Sequence, residues 1–243
     1  MSTIVDIILI AFIILGTYAG CRKGLIKSLV SFIGLVAIVI ISYTLRVYLA
    51  NFLIDIMPFF NFGGALDGLT SLNVLIYNVL SFVVIFIILN CILNIVISVT
   101  GFIDTLLKFT VIWIIPSKIG GAIIGFLEAW IYLFLVVFIF AQFSFSASYI
   151  RDSRVANIIL NHTPVIGNYL GSASDAAEEI YAGIEEYRND ETKSTNDLNL
   201  YILQVEINYG LISKEKATEL METGKIGLDN VIFGKGDNKW LNI

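Results

Sequence analysis

A few polar residues interrupt long apolar runs, and they are the first place to look for chemistry. Asn90, Asn94 and Ser98 recur at i, i+4 and i+8, a single helical stripe continued by Gly101. Glu128 stands alone between Leu127 and Ala129 in another apolar run. A charged residue at mid-membrane costs about 2.5–3.5 kcal/mol on insertion scales and is a functional candidate by default. Counted along their helices at 1.5 Å per residue, Glu128 and Asn90 both lie roughly 15 Å from the same membrane face, so they could meet. Two chemistries fit that meeting. One is a proton or cation site on Glu128, lined by Asn90 and Asn94. The other is a protonated Glu128 hydrogen-bonded to asparagine, joining two helices; it asks for fewer groups, because transport normally uses more than one ionisable residue.

Other chemistry finds no foothold in the residue pattern. There is no nucleophile–base pair, no phosphate-binding glycine loop and no HExxH-type spacing, so neither an enzyme nor a bound cofactor is expected. Cys21 and Cys91 stand about seventy residues apart in apolar stretches, without a CxxC or Cys/His cluster, which argues against metal sites and disulfide frameworks. The single histidine, in Asn161-His162-Thr163-Pro164, reads as a loop residue.

The elements that must position these residues are membrane helices. The chain has 243 residues, 57% of them hydrophobic and 14% charged, whereas a soluble domain carries nearer 45–50% and about 25%. Residues 1–150 hold six basic residues (Arg22, Lys23, Lys27, Arg46, Lys108, Lys118) against five acidic ones, while residues 151–243 hold nine against fifteen. The imbalance implies lipid as solvent for the first part and water for the second, and it offers no basic stripe for nucleic acid. About twenty apolar residues span the hydrocarbon core, and four segments qualify: about 4–20, 24–52, 72–99 and 119–143. Residues 101–115, with Asp104 and Lys108 at i, i+4 beside Phe102, Leu106 and Trp113, suit an amphipathic helix lying in the interface, ended by Pro116. The expected fold is therefore an all-α membrane protein. It has about four transmembrane helices and an interfacial helix (1–148), then a small, acidic, mostly helical extramembrane tail (149–243).

Small residues mark how the spans pack. Gly16, Gly20 and Gly24 recur every four residues, as do Gly121, Gly125 and Ala129. Lipid is as apolar as leucine, so membrane helices associate by close backbone approach over such ladders. Packing within one bundle is the first reading and a homo-oligomer the second. Arg22, Lys23, Lys27, Lys108 and Lys118 fall on one side of the membrane; Arg46, Arg151 and Arg154 fall on the other. Positive charge stays inside, so both termini are expected outside the cytoplasm. Tyr18-Ala19-Gly20-Cys21 has the look of a lipoprotein processing site. No basic residue precedes it, however, and Arg22-Lys23 follow at once, so the first helix is expected to be retained. Asp6 reads as an interface residue.

In the tail, Ser172–Tyr187 has helix formers with early carboxylates, and 189–199 reads as a polar linker. Leu200–Asn208 and Ser213–Thr223 then read as two short helices, the first ended by Gly210 and the second capped by Ser213. Leu200, Leu203, Ile207, Leu211, Ile212, Leu220 and Ile226 could form a minimal core. A DNA-binding helix-turn-helix lacks its basic face here.

These residues together resemble the bacterial colicin V production (CvpA) family of inner-membrane proteins. Asp6 matches an acidic residue opening the first span. Gly20-Cys21-Arg22-Lys23-Gly24-Leu25-Ile26-Lys27 is similar to the family's first connection, and Ser117-Lys118-Ile119-Gly120-Gly121-Ala122-Ile123-Ile124-Gly125 to its fourth-span entry. Two positions depart: Ser117 stands where the family has Asp, and Glu128 where it tends to be basic. The resemblance, over about residues 4–145, implies four membrane helices and a role in toxin (bacteriocin) production or export and envelope maintenance. That role would be exercised in the cytoplasmic membrane through helix packing and contacts with other membrane or envelope proteins. The competing expectation is a small channel or transporter subunit using Glu128 with Asn90 and Asn94.

Overall fold

The computed structural model describes residues 2–107, 114–141, 146, 149–150, 152–188 and 194–226. Among them every regular element is helical. The helices are α1 (Ser2–Lys23), α2 (Leu25–Ile56), α3 (Leu72–Leu107), α4 (Ile114–Ala141), α5 (Arg154–Asn161), α6 (Pro164–Arg188), α7 (Thr195–Asn208) and α8 (Lys214–Glu222). Four are long and apolar enough to cross a membrane: Thr3–Lys23, Leu25–Ile56, Leu72–Ser98 and Ser117–Ala141. The protein is an all-α membrane protein.

A single residue separates α1 from α2. Gly24 takes φ +80°, a left-handed conformation that glycine adopts without a Cβ penalty, and its N–H donates to the Gly20 carbonyl at 3.0 Å. Two expected boundaries fall elsewhere. Residues 101–107 continue α3 without a break, and 108–113 lie outside the described residues, so no separate interfacial helix is seen over the described part of 101–115. Pro116 does not end an element but sits in the first turn of α4, where a missing N–H removes no intrahelical bond.

The chain forms two compact units. One comprises residues 1–44 and 84–170, the other 45–83 and 171–243. The boundary in the C-terminal part thus falls at 170/171, later than composition alone suggests at 148. In the first unit the reason is local. Ser153 caps α5, accepting from the Ala156 N–H at 3.0 Å. Asp6 of α1 accepts from the Ser153 hydroxyl at 2.5 Å and from the Val155 N–H at 3.1 Å. A carboxylate at a helix N-terminus is favoured by the helix dipole, so Asp6 is a tether for α5 rather than a bare interface residue. Trp130 Nε1 donates to the Thr163 hydroxyl at 2.9 Å, at the end of the same segment. Half of the apolar window of α4 is buried, against 11% for α1 and for α3, which makes α4 the central helix.

The second unit joins the ends of two membrane helices to the tail. At 1.5 Å per residue the 32 residues of α2 extend about 48 Å, well beyond a hydrocarbon core of about 30 Å. Its last turns, the first turns of α3, and α7 and α8 share one core, including Ile54, Tyr77, Leu203, Ile212, Leu220 and Ile226. The tail's own apolar residues are therefore completed by helix ends instead of closing a core alone, as expected for so small a segment. Helix α7 starts at Thr195, inside the stretch expected as a linker. The reason is a capping box: Ser194 accepts from the Asp197 N–H while Asp197 accepts from the Ser194 N–H. Gly210 (φ +67°) closes α7 and Ser213 caps α8.

Hydrogen bonds from the tail end on helix termini. Asn199 Oδ1 accepts from the Ser71 N–H at 3.0 Å, and Glu206 Oε1 accepts from the Leu75 N–H at 3.0 Å in the first turn of α3. Lys225 Nζ donates to the carbonyls of Ile54 and Asp55 at 2.6 and 2.8 Å, at the end of α2. The end of α2, the start of α3 and the tail therefore lie on one side of the membrane.

Candidate functional site: an intramembrane ion pair beside a glycine seam

The first unit is built on the antiparallel contact of α1 with α4. A methyl group placed on Gly20 would fall 2.6 Å from the Gly125 Cα, and one on Gly125 would fall 2.7 Å from the Gly16 carbonyl oxygen. A methyl on Gly16 would strike the Ala129 Cβ, and one on Gly121 the Gly20 carbonyl. The two ladders thus face each other backbone to backbone, down to Gly24, where the Ser117 hydroxyl is nearest. Ser117 Oγ also accepts from the Leu25 N–H at 3.1 Å, meeting the first orphan donor of α2. A serine therefore caps α2 from ninety-two residues away.

Beside this seam lies Glu128, 8% exposed. The structure pairs it with Lys23, not with asparagine: Lys23 Nζ lies 3.2 Å from Oε1 and 3.3 Å from Oε2. The Ser31 hydroxyl of α2 donates to Oε1 at 2.6 Å, and Lys23 also reaches Ser31 at 3.5 Å. Lys23 closes α1 and would by position point at headgroups. A helical Cα–Cβ bond tilts toward the N-terminus, however, so its stem runs back along α1 toward the membrane interior, where the glycine seam holds α4 close. An ammonium offers the carboxylate far more than an amide can, and three helices are tied at one point.

The asparagine stripe divides. Asn90 donates to its own helix at Phe86 O (3.0 Å) and accepts from the Tyr132 hydroxyl at 2.8 Å, one turn beyond Glu128 on α4. Asn94 and Ser98 are exposed, and the Ser98 hydroxyl donates to the Asn94 main-chain carbonyl at 2.8 Å. The proposed meeting of Glu128 with Asn90 and Asn94 is therefore not what the fold builds. Among the other basic residues, Arg22 lies 6.0 Å over the Tyr18 ring, Lys118 is exposed and Lys27 half-buried, while Lys108 lies outside the described residues. Cys21 and Cys91 are free thiols. His162 is exposed at the end of α5. Among the described residues no group of three or more His, Cys, Asp or Glu side chains is arranged to hold a metal.

The sequence reading missed Lys23 as counter-ion, and with it Ser31, Tyr132 and Ser117. One signal for Lys23 was available: it follows Gly20 by three residues, so whatever packs on the glycine ladder comes within its reach.

The comparison that decides the family is direct: the profile of the colicin V production protein family matches residues 5–164. The chain belongs to that family. The match runs past α4 through α5, so the family unit includes the helix held by Asp6. A relative is the uncharacterized transmembrane protein YshB of Bacillus subtilis (strain 168), 29% identical over 173 residues, covering 68% of this chain and 94% of the relative. No solved structure matches the chain. Of the two departures from the family pattern, Ser117 still caps α2, and Glu128 brings an acidic charge that Lys23 answers.

Proposed function

We propose that the protein is a non-enzymatic factor of the cytoplasmic membrane that serves toxin production or export and envelope upkeep by holding other membrane or envelope proteins. The observation that carries this reading is the cluster of Lys23, Ser31 and Glu128. The intramembrane carboxylate already has a counter-ion and a hydrogen-bond donor from its own chain, as suits a structural joint. It weighs against a channel or transporter built on Glu128, whose expected lining is elsewhere: Asn90 is engaged by Tyr132 and Asn94 faces outward. The tail is the docking surface in this reading, and the five basic residues on the opposite side support extracytoplasmic termini.

The test is complementation in a host lacking the chain, read as secreted toxin activity and envelope integrity. Wild type and Glu128→Gln should both restore it, while Gly125→Leu should not. A pH-dependent flux through reconstituted liposomes that Glu128→Gln abolishes would overturn the proposal in favour of transport. Protease added to intact cells should cleave the tail; cleavage in broken cells alone would reverse the orientation.

A further inference from the structure

Asn94 is a polar group that the described residues of the first unit leave unanswered on its exposed face. Its carboxamide is exposed and makes no hydrogen bond to a described residue. Its depth follows from a neighbour. Leu93 packs on Gly34, where an added methyl would fall 2.5 Å from Leu93 Cδ1. Gly34 is nine residues into α2 beyond Leu25, or about 14 Å from the α1–α2 turn, close to the middle of a core of about 30 Å. A carboxamide facing hydrocarbon at that depth has no water to turn to.

The face that carries it has a pattern. Val84, Ile87, Cys91, Asn94 and Ser98 are spaced three and four residues apart, and all are exposed. That is the seam of a left-handed helix pair, in which a buried asparagine fixes register and partner number. We propose that this face of α3 is a homodimer seam, with two copies related by a two-fold axis along the membrane normal. Such an axis places each residue opposite its own counterpart. A carboxamide both donates and accepts, so Asn94 is complementary to Asn94 at equal depth, and interhelical asparagine bonds of this kind associate membrane helices. The glycine ladders, the other feature suited to association, are occupied by the α1–α4 contact.

The chain carries its own reporter. At such a seam Cys91 faces the partner's Cys91, within the Cα separation of about 4.4–6.8 Å that a disulfide bridges. Oxidation of native membranes with copper–phenanthroline should give a disulfide-linked dimer from wild type and from Cys21→Ala, and none from Cys91→Ala. Asn94→Leu, an apolar change on an exposed face that leaves the fold intact, should lower the linked fraction at least fivefold at equal expression. Asn94→Gln should retain it. Absence of a Cys91-dependent dimer, a linked fraction unchanged by Asn94→Leu, or a Cys91 adduct to a different protein would each overturn the proposal.

Discussion

Glu128 in the membrane unit and Glu206 in the tail unit are both carboxylates withdrawn from solvent, yet they are held by different chemistry. Glu128 meets an opposite charge, Lys23, and a hydroxyl, Ser31. Glu206 is fully buried and meets one backbone N–H, that of Leu75, while its Oε2 has no hydrogen-bond partner among the described residues. The contrast extends beyond the two acids. In the membrane unit, side chains answer side chains across a backbone-tight seam. In the tail unit, charged and amide groups answer the free ends of helices: Glu206 and Asn199 at the start of α3, Lys225 at the end of α2. Oxygen acceptors at the helix start and an ammonium at the helix end each suit the helix dipole. The membrane helices hold one another in the first unit; the tail finishes two of them in the second.

The seam should be the most sensitive point. Gly125→Leu drives a side chain into the Gly16 carbonyl and the Gly20 backbone, neither of which can rotate away. Overpacking typically costs about 1–3 kcal/mol, and a backbone-to-backbone clash belongs at or above the upper end. Thermal unfolding in mild detergent should show loss of the membrane unit's cooperative transition; a transition within a few degrees of wild type would mean that the ladders are not in contact.

Removing charge from the pair should be asymmetric. Lys23→Met strands a carboxylate that is 10% exposed, whereas Glu128→Gln strands an ammonium that is 40% exposed and can turn to headgroups. Breaking a fully buried pair costs about 3–5 kcal/mol; with Lys23 partly solvated, about 2 kcal/mol is expected for Lys23→Met and less than about 1 kcal/mol for Glu128→Gln. Equal losses would show that the pair is screened and contributes little.

Glu206 should respond to pH where the pair's partner chemistry is missing. Burial pushes its carboxyl well above the ordinary 4.5, and the Leu75 N–H opposes that shift without cancelling it. A raised acid favours the folded, protonated form, so its contribution is complete below 4.5 and is lost as pH rises through the raised value. Two other tail groups shift away from that window. Its own N–H and the Ser213 hydroxyl at the start of α8 hold Glu215 below 4.5. For Lys216, burial pulls downward but Asp55 and Glu219 outweigh it and hold the group above 10.5. Hydrogen exchange at the Leu75 amide should accelerate as pH rises above 4.5 beyond the intrinsic base-catalysed rate, and Glu206→Gln, permanently neutral, should abolish the excess. Glu206→Ala leaves the N–H unmet, a loss of about 1–3 kcal/mol, near the lower end because the buried acid's own desolvation is relieved.

The same contrast explains what could be read from the sequence. Four spans, the two ladders and Glu128 are local signals: uninterrupted apolar length, small residues every fourth position, one charge where none belongs. Lys23 was hidden by standing at the end of its run, where a basic residue reads as a topology signal. Glu206 was hidden by standing in an acidic tail, where a carboxylate is expected in water and only the fold reveals its burial. Asp6 and Ser117 cap helices through the N–H groups of Val155 and Leu25, 149 and 92 residues away in sequence, so no window of sequence joins donor to acceptor. The Ser194–Asp197 capping box, by contrast, was written locally, and the polar composition around it concealed the start of α7.

The smallest expected effect tests whether the tail's second cap matters as its first does. Lys225 reaches two carbonyls at the end of α2, 2.6 and 2.8 Å away, and its ammonium lies 6.0 Å over the Phe59 ring. A cation at a helix C-terminus contributes about 0.3–1 kcal/mol. Lys225→Met keeps the apolar stem packed and removes only the charge and its hydrogen bonds. Water can replace those bonds, because the Asp55 end is exposed, so the loss should stay below about 1 kcal/mol. Protease resistance of the tail in detergent should fall slightly at low ionic strength and become indistinguishable from wild type at high salt. A loss as large as that of Glu206→Ala, or one insensitive to salt, would show that Lys225 acts through packing and that the two caps are not electrostatic counterparts.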